Sequence, residues 1–184
     1  IDLNSQQNIL NMLMDSSLIS TEQMTKINTT SKEIGKTKLE TAIELNFTDE
    51  EKIKKTLSTN YSLEEVSLDK KVIDPKIKKI IDLRYIEDNW LVPFEIGQGV
   101  IKIAIADSSK LGLMKNLKTM TKMEPELYAA TITDLSAFIE RMTRQDTKKI
   151  SDQNVKVEKI ESNKDELIEV GSEVITFGNK LITE

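Results

Sequence analysis

The sequence predicts an α+β fold: a four-short-helix N-terminal region made of a duplicated helix-turn-helix, followed by a small mixed αβ subdomain with a three- to four-stranded sheet. Three observations carry this reading. Apolar residues recur at helical spacing through the first sixty positions and do so twice, offset by about 29 residues. Two β-rich runs, Trp90 to Ile96 and Val100 to Ala106, are joined by Gly97-Gln98-Gly99. After Thr131, the residues Leu135, Phe138, Ile139 and Met142 fall at i, i+3, i+4 and i+7, one stripe of an amphipathic helix.

In the first copy of the repeat, Ile9, Leu10, Leu13 and Ser17 precede Leu18-Ile19-Ser20-Thr21-Glu22-Gln23-Met24. In the second, Leu39, Ala42, Ile43 and Asn46 precede Phe47-Thr48-Asp49-Glu50-Glu51-Lys52-Ile53. Each copy reads as a short helix, a polar turn and a second helix, with Ser20-x-x-Gln23 and Thr48-x-x-Glu51 as capping boxes. Helices this short are marginal alone, so Leu13, Met24, Ile27, Ile43, Ile53 and Leu57 are expected to pack together.

Farther along, Leu63 to Leu68 reads as a short strand. Asp74-Pro75 supplies a cap and a first-turn proline for a helix with the apolar face Ile77, Ile80, Ile81 and Tyr85. Residues 90–106 form a hairpin, with Pro93 near a strand start or on an edge, where its missing donor is harmless. Asp107-Ser108 caps a helix carrying Leu113, Met114, Leu117 and Met120; Pro125 to Ala130 has strand character, and Thr131 caps the next helix. The boundaries are then a helical subdomain at 1–61 and an α+β subdomain at 62–144. A charged linker follows at 145–166, and 167–184 begins the helix of a following domain, with Val170, Val174, Ile175, Leu181 and Ile182 at helical spacing.

Composition narrows function. The 184 residues carry 26 Lys+Arg against 31 Asp+Glu, a net charge of −5, which argues against a dedicated nucleic-acid binder. With no cysteine and no histidine, thiolate nucleophiles, the usual general base and the commonest zinc ligands are missing. A binding or regulatory module is favoured over an enzyme. No apolar run approaches the ~20 residues that span a bilayer, and no secretory leader is recognisable, so a cytoplasmic address is expected. A first residue of Ile1 leads us to expect a piece of a longer protein.

Several motifs invite chemistry and are read otherwise. Gly35-Lys36-Thr37 copies the end of a phosphate loop, but the position of its first glycine holds Thr30 and no buried strand precedes it, so it reads as a turn. Gly97-Gln98-Gly99 joins two strands rather than a strand and a helix, which makes it a hairpin turn. Lys76, Lys78 and Lys79 could face anionic lipid or RNA, with Trp90 stacking on a base; opposite an apolar stripe they read as solvated surface. Asp49, Glu50 and Glu51 favour a helix N-terminus and form no acid/base pair. Met12, Met14 and Met24 read as core filling before an adaptable docking groove.

The order of these pieces resembles a known family. Two degenerate helix-turn-helix units are followed by Ile73-Asp74-Pro75, then Trp90-Leu91-Val92-Pro93-Phe94, Val100 to Asp107, and Thr131 to Met142. That order, over residues 5–145, resembles the N-terminal domains of type IV pilus assembly ATPases and type II secretion ATPases; its best signature is Ile105-Ala106-Asp107 followed by a helix. Val174 to Ile182 looks like the start of the following motor domain. Some relatives bind cyclic di-GMP through an Arg-Leu-Gly start, a later Gly and spaced leucines. Here Asn8, Ile9, Leu10 and Ser17 hold the first set of polar places, and Thr37, Lys38, Leu39 and Asn46 the second, so the guanidinium is absent from both. The surviving apolar positions Leu13, Ile19, Met24, Ile53 and Leu57 are the candidate ligand-binding residues, and they serve equally as bundle core.

The resemblance implies a non-catalytic regulatory or docking domain, with no cofactor of its own and ATP and Mg in the full-length parent. It implies as partners the parent's own C-terminal ATPase domain and an inner-membrane platform or cytoplasmic adaptor protein. The parent would be a homohexamer, held peripherally at the inner face of the cell membrane through those partners. A nucleotide sensor, for cyclic di-GMP or another nucleotide, is the alternative.

Overall fold

A computed structural model describes residues 1–144. The first four helices are α1 (Leu3–Asp15), α2 (Thr21–Ile34), α3 (Lys38–Glu44) and α4 (Glu50–Tyr61). The repeat is visible in the backbone itself. Ser17 takes a left-handed conformation with φ 58°, and its counterpart Asn46 does the same with φ 54°. The Leu18 amide then donates to the Leu13 carbonyl at 2.8 Å, and the Phe47 amide to the Ala42 carbonyl at 3.0 Å, closing both helices in the same way. Asn and Ser visit this region more cheaply than bulkier residues, which is why polar residues occupy both turns.

The caps follow the repeat with one correction. Ser20 forms the expected capping box with Gln23. In the second copy the cap is Asp49, accepting from the Lys52 amide at 2.8 Å, and not Thr48, which is buried. Asp49 is the positional counterpart of Ser20, so the repeat predicts the cap better than the box pattern did. A further box, Thr37 with Glu40, starts α3.

The second half is built on β1 (Glu64–Glu65), α5 (Ile77–Ile80), α6 (Leu83–Asn89), β2 (Leu91–Gly97), β3 (Val100–Ile105), a 3₁₀ helix (Ser108–Leu113), α7 (Met114–Thr121) and β4 (Glu124–Ala129). A last helix, α8, begins at residue 132 and is described through 144. The four strands form one sheet in the order β1-β4-β3-β2. β2 and β3 are antiparallel, joined by a turn with Gln98 at φ 51° and Gly99 at φ 79°, the conformation that matches strand twist in a two-residue hairpin. β4 is parallel to both β3 and β1, so the chain crosses over through the 3₁₀ helix and α7. Pro93 lies on the edge strand β2, beside a register shift between Pro93 and Glu95.

Three expectations change. The strand read at Leu63 to Leu68 pairs only through Glu64–Glu65, with one further rung from the Val66 amide to the Ala129 carbonyl at 2.9 Å; it is an edge meeting only the end of β4. The single helix after Asp74-Pro75 is two. Ile81 leaves the helix, with φ −127° and ψ 129°, and Asp82 caps α6 by accepting from the Arg84 amide at 2.7 Å. A short acid side chain competes well at a cap and poorly inside a helix, and the break still buries Ile77, Ile81 and Ile86. Asp107 does cap the next segment, but that segment opens as a 3₁₀ helix, and Met114 and Met120 lie at the surface while Leu117 is buried.

Residues Ile1–Met142 make one compact unit. Leu13, Ile27, Ile53 and Leu57 of the helices and Ile103, Leu135, Phe138 and Met142 of the second half belong to one continuous cluster of buried side chains. α4 packs on α1, β1 and β4, and Glu50 at its start accepts from both the amide and the hydroxyl of Thr133, each at 2.9 Å. Sequence reading gave Glu50 only a helix-end role, yet it also caps α8. The linker expected at 145–166 and the helix expected at 167–184 lie outside the described residues.

Truncation separates core from surface. Ile103→Ala and Phe138→Ala should each lower unfolding free energy by about 2–5 kcal/mol in urea titration, whereas Met120→Ala should stay within about 0.5 kcal/mol.

Candidate functional site

The strongest candidate site lies in the helical region, where the repeat folds its two starts together. A cleft of about 360 Å³ is lined by Leu3, Gln6, Gln7 and Leu10 of α1, Ser31 and Lys32 of α2, and Lys36, Thr37 and Lys38 at the start of α3. Gly35, with φ 69°, ends α2 in a left-handed cap and lets the chain turn at once into α3, so the Gly35-Lys36-Thr37 triplet is a helix-to-helix turn as expected. The polar places of both repeat copies meet here: Leu10 from the first, Thr37 and Lys38 from the second.

The polar groups of the cleft divide into spent and available. Lys36 is ion-paired to Glu44. Thr37 donates its amide and its hydroxyl to Glu40 at 2.9 and 2.8 Å. These bonds, the amide bond first, hold the Glu40 carboxyl below its ordinary value near 4.5. Lys32 and Lys38 are exposed at the rim, over a floor formed by Leu10 and by Leu3, which is 72% exposed. Such a cleft can hold an anion beside an apolar surface.

A second cleft, of about 310 Å³, is lined by Ser16 and Leu18 of the first turn and by Lys52, Lys55, Thr56, Thr59 and Asn60 of α4. Asn60 donates to the Ser16 hydroxyl at 2.9 Å across it. The repeat relates this place to another: Leu18 corresponds to Phe47 and Lys55 to Lys26, and the Lys26 ammonium lies 5.9 Å from the Phe47 ring centroid. Each copy's turn therefore lies beside a lysine from the other copy's second helix. The 29-residue offset applied to the lysines carries this pairing in the sequence, whereas the apolar periodicity does not.

The candidate ligand residues take core positions. Leu13, Ile19, Ile53 and Leu57 are buried, and Met24 is partly buried against them. None lines either cleft. Met12 is buried and Met14 partly so, which agrees with core filling. Lys78 donates to the Met142 carbonyl at 2.7 Å, and Trp90 ends α6 in a left-handed conformation with φ 49°. Sequence reasoning missed Arg141, whose guanidinium donates to the carbonyls of Leu68 at 2.7 Å and of Asp69 and Lys71 at 3.3 Å, while stacking 4.8 Å over Phe138. Among the described residues no group of three or more acidic side chains could hold a metal, and no helix is long and apolar enough to cross a membrane.

Glu40 and Asp49 give the helical region a pH dependence. Asp49 is likewise held below its ordinary 3.8, first by the Lys52 amide. A carboxyl depressed in the folded state contributes stability that is complete above its unfolded value and is lost as pH falls through the folded one. The urea midpoint should therefore drop as pH is lowered from 5 toward 3, and Glu40→Gln with Asp49→Asn should flatten that drop.

Residues 60–149 match the MshEN domain family. The chain is 22% identical over 129 residues to the type IV pilus assembly ATPase PilB of Thermus thermophilus, which covers 69% of this chain and 14% of that protein. Its fold is similar to that in a structure of MshE with cdg, at a TM-score of 0.54 and 18% identity, covering 72% of this chain and 96% of that one. The N-terminal domain of XpsE is similar at a TM-score of 0.53 and 18% identity, covering 74% and 94%.

Proposed function

From the premise that this chain is an N-terminal domain of the type IV pilus and type II secretion ATPase kind, with an MshEN domain over residues 60–149, we propose that it is a non-catalytic docking domain that passes force between its parent motor and a partner. The parent's ATPase domain, with ATP and Mg, would lie C-terminal to it. The other side of the link would be an inner-membrane platform or a cytoplasmic adaptor protein.

The observation that carries this reading is the fastening of α8. Arg141 ties the helix to three backbone carbonyls of the 68–71 loop, and Lys78 ties the Met142 carbonyl to α5. Lys78 holds a carbonyl of α8 itself, and Arg141 reaches from α8 to the carbonyls of the loop. A pull on the chain beyond Met142 is then resisted by charge-assisted bonds and by the buried Phe138 and Met142 side chains, and the whole unit moves with it. Loosening the fastening should separate force transmission from motor turnover. In the full-length parent, Arg141→Ala with Lys78→Ala should leave ATP hydrolysis within about twofold and reduce pilus assembly or secretion by at least about tenfold, an effect equivalent to about 1.4 kcal/mol of coupling. Normal assembly by that variant, or by a parent severed within 145–166, would exclude a force-bearing role.

A second reading is favoured by the cleft that joins the two repeat starts, and by its fold's similarity to MshE with cdg. With cdg read as cyclic di-GMP, Lys32 and Lys38 could face its phosphates across the Leu3 and Leu10 floor. The places of the two arginines hold Asn8 and Thr37, so guanine would lose its stacking and forked partner. Calorimetric titration decides. Heat and a raised melting temperature at micromolar cyclic di-GMP, lost in Lys38→Ala, would establish a sensor; neither effect at millimolar ligand would remove it, since a ligand bound only to the folded state must stabilise it.

A further inference from the structure

The crossover between β3 and β4 has a charge unlike the rest of the chain. Residues 108–123 hold four lysines, Lys110, Lys115, Lys118 and Lys122, and no acidic residue, in a chain whose net charge is −5. Lys110 is committed, lying 3.6 Å from Asp107 and 3.9 Å from Asp2 with its side chain 12% exposed. The other three are spaced at i, i+3 and i+7 along α7 and its cap, which places them on one side of the helix over about 10 Å. Lys115 and Lys122 are exposed, and Lys118 stays 60% exposed while paired with Glu124. Leu117 and Thr121 are the buried positions of α7, and Met114 and Met120, at 36% and 41% exposure, border that seam.

We propose that the outer face of α7 is a contact for an anionic membrane surface, formed by Lys115, Lys118 and Lys122 with Met114 at its margin. This goes beyond the docking reading, because it gives the domain a membrane contact of its own rather than one through a partner. Lysine presents a point charge on a long flexible stem, which suits a diffuse field of lipid phosphates better than the forked, directional capture of a single carboxylate. The stems of lysine and the exposed Met114 can lie against the headgroup boundary while the ammonium groups stay wet. The lysine-rich stretch at 70–79 is less free: Lys71 pairs with Glu95, and Lys78 bonds the Met142 carbonyl. Lys118 and Lys122 also sit favourably at the C-terminal end of α7, so the test has to keep that helix folded.

The test is sedimentation of the 184-residue chain with vesicles of neutral lipid alone and of neutral lipid with one third phosphatidylserine, at low salt. Binding is expected on the anionic vesicles only, weakening steeply as salt shortens the screening length. Each lysine near such a surface is worth about fivefold in partitioning, so Lys115→Gln, Lys118→Gln and Lys122→Gln together should reduce binding by more than about 50-fold. The triple Arg variant should retain binding, and Lys76→Gln with Lys79→Gln should change it by less than about threefold. Far-UV circular dichroism and the melting temperature report whether each variant is folded; a folded triple Gln variant that binds like the parent overturns the proposal. So does equal binding to neutral vesicles, and so does failure on anionic vesicles combined with capture by poly-glutamate, which would assign the face to an acidic protein.

Discussion

The packing of α4 against β4 is the contact on which the domain depends. Neither half can finish its own core. The helical repeat supplies short amphipathic helices that are marginal in isolation, and the sheet supplies a face of Ile101, Ile103 and Leu127 that needs covering. Ile53 and Leu57 of α4 are buried in the cluster that spans both halves, and Glu50 adds a cap that joins residues far apart in sequence. Because α4 also packs on α1, the two repeat copies are set by the same contact, and so is the cleft between their starts.

The surface chemistry follows from that economy. Carboxylates are used at helix starts and in surface pairs. Glu95, for example, accepts from Lys102 at 2.6 Å and Lys71 at 3.2 Å, while Lys71 lies over Phe94, which meets Tyr128 edge-on. These groups orient loops and strands. Other cations stand exposed at the α1–α3 cleft and along α7, where they can meet an anion or a charged surface, while Arg141 of α8 meets backbone carbonyls.

Much of this was legible in the residues, for identifiable reasons. The polar turns at Ser17 and Asn46 were visible because a repeat carries the same constraint twice, though not their left-handed backbone, and the hairpin because Gly97-Gln98-Gly99 permits little else. The stripe of Leu135, Phe138 and Met142 is buried as its spacing requires. What stayed hidden depended on distant partners. Nothing local distinguishes Arg141 from a solvated arginine until the 68–71 loop comes beside it, and the break at Ile81 reflects Asp82 winning a cap over an otherwise continuous apolar stripe. The clefts carry no signal in the apolar periodicity, because most of the residues around them are polar.

Native-state hydrogen exchange measures the α4–β4 contact most directly. If it unites the two halves, the slowest amides of α1 and α4 and those of β3 and β4 will exchange with the same opening free energy and the same denaturant dependence, as one cooperative unit. Helical amides that open several kcal/mol below those of the sheet would show two independent bodies and contradict the account.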